Sequence, residues 1–172
     1  MTGSYLPSRR TAFNISAGAL LLFGGLFGVI PAASSQEAPP PSVEANHAEA
    51  LVNNAAALID SKGKAAFTEF GKPGSKWRNR DTYVFVADLK GTTLFHGAFP
   101  ALQGDNRRSV KDSNGKLFVV EFENVVQSHG SGWVDYTFPK PGQSKPSQKW
   151  SYVKAVIIDG IPRYVGTGFY PQ

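Results

Sequence analysis

The feature that most constrains this chain is a change of hydrophobic period near Thr82. Upstream, Leu51, Ala55, Leu58 and Ile59 recur at helical spacing in an Ala-rich stretch, residues 45–61. Gly63 interrupts that stretch. Residues 64–70 resume a short second helix, which Gly71 and Pro73 end. Downstream, Tyr83-Val84-Phe85-Val86-Ala87 is β-branched and aromatic, and Asp88-Leu89-Lys90-Gly91 turns it into a second strand, residues 92–96. Residues 97–115 read as loop. Residues 117–127 read as a helix with one apolar face, punctuated at its end by Gly130 and Gly132. Three further strands, 133–138, 149–158 and 164–170, are joined by a polar, Pro-bearing loop and by a tight turn at Asp159-Gly160. Connections this short make them antiparallel neighbours. The order predicts an α+β domain, helices packed on an antiparallel sheet.

The first 36 residues differ from the rest. Arg9 and Arg10 are the only charges before Glu37, and an apolar run follows at residues 17–30. As a helix that run spans about 21 Å, short of the roughly 30 Å hydrocarbon core of a bilayer. Pro31-Ala32-Ala33-Ser34-Ser35 then supplies small residues for a peptidase. The pattern predicts a secretory signal over residues 1–35, cleaved after Ser34 or Ser35, with an uncleaved anchor as the alternative. Ser8-Arg9-Arg10-Thr11-Ala12-Phe13 approaches a twin-arginine signal. Residues 36–44, with Pro39, Pro40 and Pro41, read as a stiff, poorly packed linker, and residues 45–172 as the folded domain. The expected location is the periplasm or the exterior.

A chain of 172 residues allows one ordinary domain plus such a leader. It has no cysteine, which excludes disulfide scaffolds, zinc ribbons and thiol nucleophiles. The net charge of +5 includes Arg9 and Arg10, so removal of the leader leaves +3. Export together with this modest charge argues against a nucleic-acid partner. Asp112-Ser113-Asn114-Gly115 opens like a calcium loop but lacks the bidentate Glu at the twelfth position, so it reads as a turn. No G-x-S-x-G elbow, phosphate-binding Gly loop or HExxH spacing is present. No enzyme, cofactor or metal is expected; a hydrolase using His96 or His129 finds little support.

The segment Tyr83 to Asp88 with Gly91, then Gly104, then Asp112 with Gly115 and Lys116, resembles the single Cache domain of bacterial extracytoplasmic sensors. Gly130, Gly132, Trp133, Asp135 and Tyr136 continue the resemblance, followed by Pro139, Pro141 and Gly142, by Lys149, Tyr152 and Lys154, and by Gly166, Gly168 and Tyr170. It runs from about Ala45 to Tyr170. The resemblance implies a long N-terminal helix, a helical crossover and a PAS-like five-stranded sheet that binds small metabolites, often carboxylates. Typical members sit between two membrane helices and feed an output module. No second membrane segment or output domain is read after Tyr170, so any receptor or kinase is expected to act in trans.

Lys149 matches the family's Lys, and as a buried ammonium it would hold a carboxylate through charge-assisted bonds. A solvated strand-end lysine is the alternative. Tyr136 and Tyr152, on adjacent strands, are expected to present hydroxyls to one pocket, with Tyr83, Phe85 and Phe118 as an aromatic wall; plain core packing is the competing reading for each. His96 is a candidate donor or pH-sensitive group. Arg80 and Trp77, ahead of the first strand, are candidates to close over a ligand. The expected function is an exported module that captures a small organic acid. The alternative is a structural or interaction domain of the envelope whose pocket its own side chains fill.

Overall fold

The change of period at Thr82 becomes a sheet clasped between helices. The computed structural model describes residues 37–172; the expected leader, residues 1–35, lies outside the described residues. Helix α1 (Val43–Lys62) begins two residues before the apolar periodicity does, because Ser42 caps it: its hydroxyl accepts from the Ala45 amide at 3.0 Å. A 3-10 turn (Gly63–Ala65) and α2 (Ala66–Phe70) follow. A two-stranded hairpin, β1 (Arg78–Asn79) with β2 (Thr82–Tyr83), precedes the main sheet. That sheet comprises β3 (Phe85–Asp88), β4 (Thr93–His96), β5 (Ser131–Pro139), β6 (Pro146–Ile158) and β7 (Ile161–Phe169). Its order is β4-β3-β7-β6-β5, antiparallel throughout, with α3 (Phe118–His129) in the crossover between β4 and β5. This is the α+β class expected. The β5–β6 loop is shorter than read from the sequence, because Pro146, Ser147 and Gln148 already pair with Pro139, Phe138 and Thr137.

Helix α1 covers β6 and β7 on one face, and α3 covers β5 and β6 on the other. Strand alternation sorts the core into two clusters accordingly. On the α1 face, Val52, Ala55 and Ile59 meet Val86, Val156 and Val165. On the α3 face, Phe118, Phe122 and Val126 meet Phe85, Tyr136, Val153 and Tyr164. A register shift between Val86 and Ala87 breaks the alternation in β4. Leu94 and Phe95 therefore both pack in the α1 cluster, while Thr93 and His96 both border the cavity under α3. Among the described residues no helix is long and apolar enough to cross a membrane.

One sequence expectation needs correction here, and a second gains a further contact. The Pro-rich linker is not loose throughout: Pro39 is buried, in a groove shared with Trp150, Phe169 and Tyr170. Asp112 does form a turn, but it also reaches the sheet. Its Oδ1 accepts from the Asn114 and Lys116 amides and its Oδ2 from the Thr137 amide of β5, at 2.8–2.9 Å. Partial burial works to raise this carboxyl, yet those amide donors outweigh it and hold Asp112 below its ordinary value.

Gly166 and Gly168 of β7 leave the α3 face of the sheet open where bulky groups cross it. A Cβ on Gly166 would lie 2.5 Å from Phe85 Cζ; one on Gly168 would lie 2.2 Å from the Trp150 carbonyl and 3.0 Å from Lys149 Cε. Gly166→Ala is expected to lower stability by about 1–3 kcal/mol through overpacking against the ring. A urea midpoint identical to that of the native protein would show that the Phe85 ring has somewhere else to go.

Candidate ligand-binding site

The two glycines make room for Lys149, which lies opposite Tyr136 in the β5–β6 ladder. Lys149 is only 1% exposed. Its Nζ donates to the Tyr83 hydroxyl at 2.6 Å and sits over the Tyr83 ring, 4.1 Å from the centroid. The rings of Tyr170, Phe138, Tyr136 and Phe85 surround it at 5.3, 5.4, 5.8 and 5.9 Å. Among the described residues no carboxylate pairs with it. Burial pushes its ammonium down to about 7, against a smaller opposing pull from Asp81.

The hydroxyls around Lys149 form a directed chain. Tyr170 donates to the Pro139 carbonyl at 2.7 Å, and its oxygen lies 3.5 Å from the Tyr83 hydroxyl. Tyr136 shares a hydrogen bond with Ser151 Oγ at 3.1 Å. Burial raises all three phenols, Tyr83 and Tyr136 well above the ordinary tyrosine value and Tyr170 to about 12. They are neutral dipoles at physiological pH.

His96 closes the other side. It is 8% exposed, and its Nδ1 accepts from the Phe99 amide at 3.1 Å, which leaves the ring proton on Nε2. Burial first, then the charges of Lys149 and Arg107, push it down to about 3. His96 is thus a neutral donor across the physiological range. Beside it lies a cavity of about 40 Å³, bordered by Phe85, His96, Arg107, Phe118, Tyr136 and Phe138 among others. That is room for roughly three water-sized bodies. Lys149 does not border this cavity; Phe85, Tyr136 and Phe138 stand between the two and belong to both.

Of the residues singled out from sequence, the structure gathers Lys149, Tyr83, Phe85, His96 and Tyr136 into one centre. Phe118 joins them by stacking on Tyr136 at 4.6 Å and 7°. It does not bring in Tyr152, which lies three residues from Lys149 and so on the opposite face of β6. Its hydroxyl donates to Ser131 Oγ at 2.9 Å and its ring packs on Trp133 at 5.1 Å. Trp77 is buried on the α1 side, edge-on to Phe70 at 5.0 Å, on the face of the sheet opposite the Lys149 centre. Arg80 is exposed, with φ 52°, and lines an outer cleft together with Arg78 and Pro141 whose inner wall includes Tyr83. The sequence reading missed Arg107. It lies in an aperiodic loop, and its backbone is placed by the distant turn glycine Gly91, whose carbonyl accepts from the Arg107 amide at 2.8 Å.

An unpaired buried ammonium ties stability to pH. Between pH 7 and the ordinary lysine value near 10.5, the unfolded chain binds a proton at Lys149 that the folded chain does not. Stability therefore rises with pH across that window, by up to about 1.4 kcal/mol per unit from this group, and the gain is absent below pH 7. Urea midpoints at pH 6 and pH 9 should differ in this sense for the native protein and converge in Lys149→Met. A native midpoint that falls from pH 6 to pH 9 would contradict the burial of an unpaired charge.

Comparisons with known proteins identify the family and the fold. A family model described as the Cache domain matches residues 74–172. The methyl-accepting chemotaxis protein McpP of Pseudomonas putida is 30% identical over 92 residues, which is 54% of this chain but only 16% of that protein. A solved periplasmic sensor domain of a chemotaxis protein superposes with a TM-score of 0.64 at 30% identity, covering 75% of this chain and 95% of its own. A second, a Cache chemosensory domain described for carboxylic acid recognition, gives 0.64 at 25% identity, covering 74% and 93%. With a family match across more than half its length, the chain belongs to the Cache domain family.

Proposed function

We propose that this chain is an exported sensory module, without catalytic activity, that captures a short organic acid at the Lys149 centre. The observation that carries the reading is a fully buried ammonium with no carboxylate paired to it among the described residues, a charge left for a ligand to neutralise. The ligand carboxylate takes the Nζ of Lys149 and the hydroxyl of Tyr83, and the Nε2 proton of His96 fixes its orientation from the cavity side. Phe138, half-buried near the end of β5, swings to join the cavity to Lys149. The ring faces exclude water and strengthen every polar contact inside. Recognition of carboxylic acids by a related Cache domain supports the ligand class. The leader at residues 1–35 directs the module to the periplasm, and a membrane receptor or kinase in trans reads its state.

An acid of about six non-hydrogen atoms has a ceiling near −9 kcal/mol, so micromolar to millimolar affinity is expected once ordering costs are counted. The anion favours the charged form of Lys149 and raises its pKa on binding. Above pH 7 binding therefore requires proton uptake, and affinity falls by up to about tenfold per pH unit; below pH 7 it is flat with respect to this group. Titration calorimetry with propionate at pH 6.5 and 8.5 checks both claims. Lys149→Met is expected to weaken binding at pH 6.5 by at least about tenfold. Undiminished binding by this variant would remove Lys149 from the site.

A further inference from the structure

Arg107 is fixed in place by contacts that do not involve its own guanidinium. Its amide donates to the Gly91 carbonyl at 2.8 Å. The next residue, Arg108, packs so close to Gly91 that a Cβ there would sit 2.6 Å from Arg108 Cβ. Arg108 Nε in turn donates to Oε2 of Glu123 at 2.9 Å, and Glu123 is a buried residue of α3, 2% exposed. On the other side, Asn106 Nδ2 donates to the Lys90 carbonyl at 2.7 Å. The loop is thus pinned to both the β3–β4 turn and α3, with Arg107 between the pins.

What this fixed backbone presents is a half-buried guanidinium that borders the cavity with His96, Thr93 and Leu102. Among the described residues it makes no ion pair and no side-chain hydrogen bond. Its charge reaches inward, acting on the two buried groups His96 and Tyr136. Among the described residues no carboxylate borders the cavity. Glu123 is engaged by Arg108, and Asp81 acts on Lys149, Tyr83 and Tyr170 while lying 3.9 Å from Lys140. Two cations, Lys149 and Arg107, therefore act on the same imidazole with no anion between them.

We propose that Arg107 is a second anion anchor and that the ligand is a short dicarboxylate, one carboxylate held at Lys149 and the other at the cavity wall by Arg107. The inference rests on the carboxylate reading of the Lys149 centre and narrows it. A planar guanidinium takes a carboxylate through two parallel bonds, which a lone ammonium does not. The cavity that Arg107 borders is small, about 40 Å³, which favours short diacids over long ones.

Calorimetry at pH 6.5 with propionate, malonate and succinate on the purified chain tests this. Malonate or succinate is expected to bind the native protein at least tenfold more tightly than propionate. Arg107→Leu should reduce that ratio to within about twofold while leaving propionate affinity within about threefold, and Arg107→Lys should retain part of the preference. A near-native urea midpoint for each variant excludes a folding defect. If propionate binds the native protein as tightly as the diacids, or if Arg107→Leu leaves the ratio unchanged, the second anchor is overturned while the Lys149 reading stands. If none of the three acids binds, both readings fall.

Discussion

The structure is organised around one unfavourable term, the burial of the Lys149 ammonium with no partner charge among the described residues. An isolated ion in a low-dielectric interior costs several kcal/mol, so its surroundings must either lower that cost or let the group lose its proton. Both devices are present. Five ring faces and one hydroxyl supply partial negative charge at 2.6–5.9 Å, and the depressed pKa puts the neutral amine within reach at ordinary pH. The glycines at 166 and 168 follow from the same requirement, since side chains there would occupy the path of the lysine stem and the Phe85 ring.

This arrangement divides labour between the two faces of the sheet. The α1 face is built almost wholly of aliphatic and aromatic groups, and its role is cohesion. The α3 face mixes large rings with Lys149, His96 and Ser151, all nearly inaccessible to solvent. Polar groups of this kind do little for stability and have to be satisfied one by one. Tyr83 does much of that work: its hydroxyl accepts from Lys149 and its carbonyl accepts from Thr167 Oγ1 at 2.8 Å. Tyr83, the last residue of β2, thereby connects the hairpin β1–β2, strand β7 and the basic centre.

Much of this was legible in the sequence, and the failures have physical reasons. The switch of period gave helices and strands in the right order, and hairpin-length connections gave the neighbours β5, β6 and β7. Lys149 was legible through the family resemblance and Tyr136 as a strand residue facing a pocket; the β5–β6 ladder sets the two opposite each other. Tyr152 was misplaced although the information was present, since an odd separation along a strand puts two side chains on opposite faces. Trp77 precedes a strand too short to have a period, so nothing in the sequence said which side of the sheet it would take. Arg107 lies beyond pattern reading altogether, because its position is set by tertiary contacts to Gly91 and, through Arg108, to Glu123.

The Asp112 turn has a consequence for the sheet's outer margin. Strand β5 is an edge, and an edge offers unused amides and carbonyls to any other chain that can lie alongside. Here Asp112 takes the Thr137 N–H, while Lys116 donates to the carbonyl and the carboxylate of Asp135. A few side-chain atoms so blunt one rim of the molecule against zippering with its copies, and any self-association must find another route than strand addition along that stretch.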